Sequence, residues 1–277
     1  MVIFAGPQVS GAIRNQFNQV TNTVDSGASG DSFMSAEEKA YREAMKVIAQ
    51  KKAKDWTLDE QKAVATDIAK SGTSSVLYAK AKAAMDAGTQ WSIKLNNGKT
   101  LTYRIVGINH DDLAEGSGRA GLTFEATNNV LAVQRMNATS ANAGGWEKSE
   151  LRTRLNTGDL WALLPSEVQS KVNSVTKMTD NKGGGTAGTP SATTDKVFLL
   201  SSTEIYGDLD SDGTQYEYYQ SKGVTAASYS GASSGFSHWT RSVFPSGSVL
   251  IRCVDSSGNC YNYLATKAYY VFPAWCF

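Results

Sequence analysis

The chain has 277 residues and carries 27 Lys and Arg against 26 Asp and Glu, which gives a formal net charge of +1. Proteins that bind nucleic acid usually carry an excess of basic residues, so we expect no nucleic-acid partner. Apolar residues make up 41% and charged residues 19% of the chain, a balance that predicts a folded protein and excludes a disordered one. No apolar run reaches the roughly 18 residues of a membrane-spanning helix, so we expect no membrane insertion.

The cysteines and the first residues favour a chain made in a reducing cytoplasm. The start, M-V-I-F-A-G-P, places no basic segment ahead of a short apolar run, so a cleaved secretory signal is not expected. Three cysteines are too few for a disulfide framework in a chain of this size, and the odd count leaves at least one thiol free. Cys276, between Trp275 and Phe277, is typical of a small buried residue.

Composition changes near residue 89 and divides the chain into three predicted regions. Residues 1–34 form a mixed N-terminal arm, in which apolar residues at helical spacing from Ile13 to Val24 predict a short helix. Residues 35–88, rich in Ala, Lys and Glu, predict a helical region for attachment or oligomerisation. Residues 89–277, rich in Gly, Ser, Asn and aromatic residues, predict a separate ligand-binding domain.

Two capping boxes predict where helices begin in the second region. Ser35 and Thr57 are each followed by Glu three residues later, so a hydroxyl and a carboxylate can satisfy each other's backbone N–H groups. A third helix is expected from about Ser74 to Ala87, and Gly72 and Gly88 end the second and third helices. The residues expected to be buried are Tyr41, Met45, Ile48, Leu58, Val64, Ile68, Val76, Leu77, Ala81 and Met85.

After Trp91 the pattern becomes that of short strands, which predicts an α+β fold with segregated elements. A β-hairpin is expected around Asn97-Gly98, because Asn-Gly supplies the positive φ angles of a tight turn. Two amphipathic helices are expected at 149–155 and 165–175, followed by a flexible Gly-rich surface loop over 181–194. Further short strands are expected at 196–200 and within 248–277.

An acidic segment resembles the first half of a calcium-binding loop. Asp208, Asp210 and Asp212 stand at alternate positions before Gly213, a pattern that suits a hard cation such as calcium. The second half of the loop does not match, because Tyr219 occupies the position where a bidentate Glu is needed. A solvated acidic turn is the alternative interpretation, and no other cofactor is expected.

Cys253 and Cys260 flank the turn sequence V-D-S-S-G-N. An even number of residues in the loop would place the two cysteines opposite each other, where they could form a disulfide. A bulge at Gly258 would instead shift the register by one residue and separate them. A cytoplasmic origin favours two free thiols. Because His110 and His238 lie in no recognisable catalytic motif, we expect no catalytic residues and no enzymatic activity.

Tyrosine, serine, asparagine and glycine alternate in the last quarter of the chain. This composition is typical of recognition surfaces, where rigid amphipathic rings supply contact area at low entropic cost. The residues predicted to form a ligand-binding face are Ser246, Ser248, Arg252, Asp255, Asn259, Tyr261, Asn262, Tyr263, Lys267, Tyr269 and Tyr270.

Four segments, taken in order and spacing, resemble a known protein family. They are Trp91 with Y-R-I-V-G-I-N-H-D at 103–111; M-N at 136–137 with G-G-W-E-K-S-E-L-R at 144–152 and L-N at 155–156; K-V-F-L-L-S at 196–201 with Glu204; and W-T-R-S at 239–242 with F-P-A-W at 272–275. Over residues 89–277 the chain resembles an uncharacterised domain family of gut bacteria and their prophages. That family resembles C-type-lectin-like proteins and is related to the variable proteins of diversity-generating retroelements and to formylglycine-generating enzymes.

The resemblance implies a compact α+β scaffold and a small twisted sheet that presents a C-terminal binding face. The two helices of that scaffold would be the segments 149–155 and 165–175. The family pattern usually has Arg where this chain has Phe272, so the ion pair of that Arg is not expected here. Arg241 and Arg252 lie near this position in the sequence.

Four matched residues have expected structural roles. Trp146 and Trp239 are expected to anchor the core, with indole N–H groups that need hydrogen-bond partners. Arg152 and Arg241 are expected to tie loops to the scaffold through bidentate hydrogen bonds.

The resemblance and the aromatic C-terminal segment together predict a non-enzymatic ligand-binding protein. Its expected setting is a phage or prophage virion, where it is a fibre tip, adhesin or decoration protein, made in the host cytoplasm. Its C-terminal face would bind a host-surface protein or glycan receptor and be diversified by a retroelement. Because viral fibres are commonly symmetric, a homo-oligomer, specifically a trimer, is expected.

Two alternatives to this function remain. One is an oxidoreductase of the copper-dependent formylglycine-generating type, which would use Cys253 and Cys260. The other is a host-encoded binding module located in the bacterial cytoplasm or at the cell surface.

Overall fold

The computed structural model describes residues 34–277, and the helix predicted between Ile13 and Val24 lies outside this range. Contacts divide the chain between Glu43 and Ala44, inside the first described helix. All the later helices and strands belong to the unit from Ala44 to Phe277. Residues on both sides of position 88 belong to this unit. Within the described range, no helix has the length and apolar character needed to cross a membrane.

Helices form the first part of the described chain. They are α1 (Ala36–Gln50), α2 (Leu58–Ser71) and α3 (Tyr78–Asp86). Thr57 and Glu60 form the complete predicted capping box at the start of α2, whereas at α1 the Ser35 hydroxyl accepts a hydrogen bond from the Glu38 N–H. Helix α3 begins later than predicted, because residues 72–74 form a 3-10 turn.

Most of the apolar positions predicted from helical spacing are buried. The buried ones are Met45, Ile48, Val64, Ile68, Leu77, Ala81 and Met85. Tyr41 and Leu58 are half-buried, and Val76 is 65% exposed because it lies in the turn before α3.

Short helices and strands make up the rest of the chain and confirm the predicted α+β class. The helices are α4 (Gly145–Lys148), α5 (Glu150–Asn156), α6 (Ser166–Gln169), α7 (Ser202–Tyr206) and α8 (Glu217–Ser221). The strands are β1 (Gln90–Lys94), β2 (Thr100–Ile108), β3 (Leu122–Ala126), β4 (Val133–Gln134), β5 (Val175–Thr179), β6 (Ser191–Asp195), β7 (Val197–Phe198), β8 (His238–Val243), β9 (Leu250–Val254), β10 (Cys260–Leu264), β11 (Tyr269–Tyr270) and β12 (Ala274–Cys276).

The strands form two five-stranded sheets and one separate ribbon. Sheet 1 has the order β1-β2-β3-β12-β7, sheet 2 has the order β10-β9-β8-β11-β4, and β5 pairs with β6. The hairpin predicted at Asn97-Gly98 joins β1 and β2, and Gly98 has a φ of 82°. Strand β12 pairs with both β3 and β7. The chain therefore leaves sheet 2 and ends inside sheet 1.

Aromatic rings connect the helical part to sheet 1. Trp56 and Trp91 are stacked with ring centroids 6.3 Å apart. The Tyr103 hydroxyl donates a hydrogen bond to Gln61 of α2 at 2.9 Å, and its ring lies 5.1 Å from the ring of Trp275 on β12. These buried rings supply the apolar contact that holds helices and sheet together.

Two predictions about the middle of the chain are wrong. The segment 165–175 is helical only over α6, because Val175 already begins β5, in which alternate residues are buried. The Gly-rich segment 181–194 is not a free loop, since its second half enters β6. Its first half is tied to the scaffold, where Asn142 Oδ1 accepts the Gly184 N–H at 2.8 Å.

Helix α2 approaches β3 very closely at Gly121. A Cβ atom at this position would lie 1.8 Å from the backbone oxygen of Ala65. We predict that Gly121→Ala lowers the free energy of unfolding by about 3 kcal/mol, because a backbone atom blocks the added methyl group and the helix must shift. The measurement is urea unfolding at equilibrium.

Gly116→Ala is the matched control for this substitution. Gly116 has a φ of 75° with no atom near the added methyl group, so only backbone strain of about 1 kcal/mol is expected. Equal losses in the two variants would contradict the close approach of α2 to β3.

Candidate functional site

A network of buried charged side chains connects sheet 2 to sheet 1. Arg241 on β8 donates two hydrogen bonds to the Glu204 carboxylate on α7. Lys177 on β5 lies 2.6 Å from Glu204 and 2.5 Å from Asp111. The Thr123 hydroxyl on β3 donates to Asp111 at 2.5 Å, which carries the connection into sheet 1. The four charged side chains, which we call the ion network, are each at most 3% exposed.

Burial and pairing act in opposite directions on the carboxylates of the ion network. Burial by itself would raise the pKa of Asp111, but the Lys177 ammonium outweighs it and holds that pKa well below its usual range. Burial is likewise outweighed at Glu204 by Arg241 and Lys177, so the pKa of Glu204 is lowered. Both carboxylates are therefore ionised at neutral pH and serve as fixed partners for the two cations.

Trp146, Trp239 and Arg241 occupy their predicted roles, whereas Arg152 binds its carboxylate partner through one hydrogen bond and not through the predicted bidentate pair. Trp146 donates its indole N–H to Asp195 at 3.2 Å, and Trp239 donates to the backbone oxygen of Gln134 at 2.8 Å. Arg152 donates to Asp195 at 2.6 Å and also to a backbone oxygen of β6. Besides Glu204, the guanidinium of Arg241 binds the backbone oxygens of Met178, Leu199 and Asp212.

We predict that Glu204→Gln lowers the free energy of unfolding by about 3–5 kcal/mol, because the buried Arg241 loses its paired carboxylate and Lys177 keeps only Asp111. Glu147→Gln, at an exposed position, is the control and should change it by no more than about 0.5 kcal/mol. Denaturant unfolding at pH 7 measures both. If Glu204→Gln lowers the free energy of unfolding no more than Glu147→Gln does, the ion network does not hold the fold.

A row of tyrosines covers one face of sheet 2. Tyr261 and Tyr263 lie two residues apart on β10, so they share a face, and their ring centroids are 6.4 Å apart. The ring of Tyr269 on β11 lies 4.7 Å from Tyr263 and 5.1 Å from the buried Trp239. Tyr261 is 49% exposed, and the other two tyrosines are half-buried. We call Tyr261, Tyr263 and Tyr269 the tyrosine row.

An open cleft adjoins the tyrosine row. Tyr269 pairs directly with Gln134 across β11 and β4, so their side chains share a face. Gln134 Oε1 accepts a hydrogen bond from Arg154 at 2.7 Å, and Arg154 is also held by two hydrogen bonds to Asp159. The cleft has a volume of about 450 Å³ and is lined by Val133, Gln134, Arg135, Ala138, Glu150, Arg154 and Ala268.

Sequence reasoning missed this cleft and the residues that form it. Gln134 and Arg154 meet Tyr269 only because β4 pairs with β11, and no local pattern indicates that pairing. The exposed Arg135 adds a positive charge to the cleft, while Glu150 adds a negative one. The surface therefore combines aromatic rings with charged hydrogen-bonding groups.

Only part of the predicted ligand-binding set comes together. Tyr270 follows Tyr269 on β11 and so faces the other side of sheet 2, where its ring lies 5.1 Å from Phe236. Asn262 likewise faces away from the row, because it alternates with Tyr261 and Tyr263 on β10.

The remaining predicted residues lie in loops or have structural partners. Ser246, Ser248 and Lys267 are exposed in the connections on either side of β9 and β10. Arg252 forms an ion pair with Asp210 and is only 14% exposed. The Asp255 carboxylate accepts the backbone N–H groups of Ser257 and Asn259, which closes the turn before β10. Arg252, Asp255 and Asn259 thus shape the site without facing the tyrosine row.

The three carboxylates of the predicted calcium loop bind protein groups separately. Asp210 pairs with Arg252, and Asp208 and Asp212 each accept a backbone N–H from another loop. Across residues 34–277, no group of three or more His, Cys, Asp or Glu side chains is arranged to hold a metal ion. Asp212 is buried, in contrast to the solvated acidic turn of the alternative interpretation, and all three carboxylates are tied into the fold.

Cys253 and Cys260 are both free and face opposite sides of sheet 2. Cys260 pairs with Val254, and Cys253 pairs with Tyr261, so the register is shifted by one residue and Gly258 has a φ of 96°. Burial raises the pKa of Cys260 to about 11. The two thiols therefore do not fit a shared copper site or a disulfide. Cys276 is buried as predicted.

Phe272, which replaces the Arg of the family pattern, packs against a buried histidine. The rings of Phe272 and His238 have centroids 4.6 Å apart, and the Phe236 backbone oxygen lies 3.0 Å from His238 Nδ1. Burial lowers the pKa of His238 to about 4. Since the unfolded chain binds this proton near pH 6.5, stability is full above pH 6.5 and falls as the pH drops towards 4.

We predict that His238→Gln reduces the loss of stability between pH 7 and pH 4.5. The pKa difference of His238 corresponds to a loss of up to about 3 kcal/mol, which the variant lacks. The raised pKa of His110 acts in the opposite direction in both proteins, so the difference between the two pH curves isolates His238. Urea unfolding across this range measures it, and parallel curves would contradict the prediction.

The described chain is thus an α+β protein built on two five-stranded sheets, with an aromatic surface on sheet 2 and an adjoining cleft. Residues 121–276 match a family described as a domain of unknown function, DUF6273. This is more than half of the chain, and the chain belongs to that family. The match includes the tyrosine row, the cleft and every member of the ion network except Asp111. No curated protein and no solved structure matches the chain.

Proposed function

We propose that this chain is a non-enzymatic ligand-binding protein that contacts its ligand through the tyrosine row and the adjoining cleft. The observation that carries the proposal is the continuous contact from the exposed Tyr261 through Tyr263 and Tyr269 to the buried Trp239. Rings held in place in this way lose little conformational freedom on binding, and their hydroxyl groups add hydrogen-bonding capacity.

The cleft adds groups that can orient a ligand on the rings. Gln134 is held by a hydrogen bond from Arg154 and lies opposite Tyr269. An amide and a guanidinium therefore border the tyrosine row. Binding sites commonly combine apolar contact area with a few fixed polar groups of this kind. The proposed ligand therefore has a flat or apolar part for the tyrosines and a polar part for the cleft.

We further propose a C-type-lectin-like arrangement for residues 89–277. Support comes from the resemblance and from two features of the fold. The helix expected at 149–155 is present as α5, and the sheet that carries the tyrosine row lies in the C-terminal part of the chain. The second expected helix is shortened to α6, which is the main departure from that arrangement.

The proposed setting is a phage or prophage virion, in which the surface binds a protein or glycan receptor on a host cell. This setting rests on the family resemblance of residues 89–277. A bacterial cell-surface or cytoplasmic binding module would use the same surface and is the alternative setting.

We predict that Tyr261→Ala weakens binding to intact bacterial cells at least tenfold, because it removes the most exposed ring of the row. The fluorescently labelled full chain is titrated onto cells of gut bacterial isolates. Saturable binding is measured by flow cytometry. Tyr78→Ala, which removes a partly exposed tyrosine on α3, is the matched control and should bind like the unmodified chain. Equal binding of Tyr261→Ala and the unmodified chain would contradict the proposed site.

A further inference from the structure

We propose that two copies of this chain associate edge to edge through strand β10, around a two-fold axis that passes next to Asn262. This proposal concerns the backbone edge of β10, the strand that also carries Tyr261 and Tyr263, and it does not depend on the proposed ligand. It rests on the position of β10, on the direction of its backbone groups and on its sequence.

Strand β10 is the outermost strand of sheet 2, and its hydrogen bonds to β9 can be assigned from the register. On one side of the hairpin, the Ala265 N–H donates to the Val249 oxygen at 2.9 Å, and on the other the Asp255 N–H donates to the Asn259 oxygen at 2.9 Å. In an antiparallel pair, residues alternate between hydrogen-bonded and non-bonded positions. The odd-numbered residues of β10 therefore direct their backbone groups towards β9.

The even-numbered residues of β10 direct their backbone N–H and C=O groups away from the sheet. These residues are Cys260, Asn262 and Leu264. Within residues 34–277 no further strand of sheet 2 lies beyond β10. The Leu264 oxygen accepts the Lys267 N–H at 2.9 Å, and the backbone groups of Cys260 and Asn262 and the Leu264 N–H face outward, where another strand can pair with them. An open edge of this kind is a ready template for pairing with a second chain.

The sequence of β10 lacks the features that usually prevent such pairing. Proteins usually protect an open edge with a charged residue, a proline or a bulge, and C-Y-N-Y-L contains neither a charge nor a proline. The register of β10 against β9 is continuous over all five residues, without a bulge. Two copies would meet as neutral strands, so no charge repulsion opposes their contact.

The strand is also complementary to itself in the antiparallel direction. Pairing centred on Asn262 places it opposite Asn262 of the partner subunit, and both residues present outward-facing backbone groups. Each Tyr261 then lies opposite Tyr263 of the partner subunit, and aromatic pairs across strands stabilise a sheet. The tyrosine rows of the two copies would join on one face. This two-fold arrangement predicts a dimer, in contrast to the trimer expected for a viral fibre.

Asn262 itself has an unused polar atom in the single chain. Its Oδ1 atom is shielded from solvent and has no hydrogen-bond partner among the described residues. In the proposed dimer the two Asn262 side chains lie side by side on the same face, about 5.5 Å apart at Cα as in any hydrogen-bonded pair. Rotation of the terminal amides would let each one bind the other.

Sedimentation equilibrium of the full chain from 1 to 100 μM tests the proposal together with amide hydrogen exchange. We expect a dimer, with exchange at Cys260, Asn262 and Leu264 slowing at least tenfold between the lowest and the highest concentration. The inward-facing amides of Tyr261 and Tyr263 should be protected throughout. Asn262→Pro removes one outward N–H and should abolish the dimer, whereas Asn262→Thr keeps that N–H and should preserve it.

Several outcomes would overturn the proposal. A chain that stays monomeric at 100 μM, a trimer, or a dimer that persists in a folded Asn262→Pro variant would each do so. If Asn262→Pro does not fold, the exchange measurement on the unmodified chain still decides. Slow exchange at all three outward amides at every concentration would show that another part of the same chain covers the edge, and this too would overturn the proposal.

Discussion

Arg241 donates two charge-assisted hydrogen bonds to Glu204 in the interior, and the arrangement of the two sheets depends on them. Glu204 also contacts Lys177, and Lys177 contacts Asp111, which accepts a hydrogen bond from sheet 1. Because charges this deeply buried are costly when unpaired, the members must stay together. The network therefore fixes β8, α7, β5 and β3 relative to one another, although these elements come from distant parts of the chain.

The candidate binding surface is a consequence of this fixed interior. Strand β8 lies in the middle of sheet 2, between β9 and β11, and it carries both Arg241 and Trp239. The ion network holds Arg241, and Trp239, two residues earlier on the same strand, packs against Tyr269. The tyrosines of β10 and β11 are thus placed on a rigid base, while their outer rings remain accessible. A surface of this kind can change its ligand by substitution of exposed residues without disturbing the interior.

Local signals in the sequence predicted local structure well. The Thr57 capping box and the Asn97-Gly98 turn specify hydrogen bonds and φ angles within a few residues, and both are present. The segment 165–175 was misassigned because its apolar spacing suits a helix as well as a half-buried strand, and pairing with β6 decides between them. The register of Cys253 and Cys260 depended on one φ angle at Gly258. The contact of Gln134 with Tyr269 arises only from strand pairing, so no local sequence pattern predicts it.

Native-state hydrogen exchange shows whether the ion network holds the two sheets in place. The amides to follow are the hydrogen-bonded ones of β5, α7 and β8, which carry Lys177, Glu204 and Arg241. We predict that these amides exchange only through global unfolding, with the free energy of exchange equal to that of unfolding by denaturant. Exchange of these elements at clearly lower free energies, in separate local openings, would contradict it.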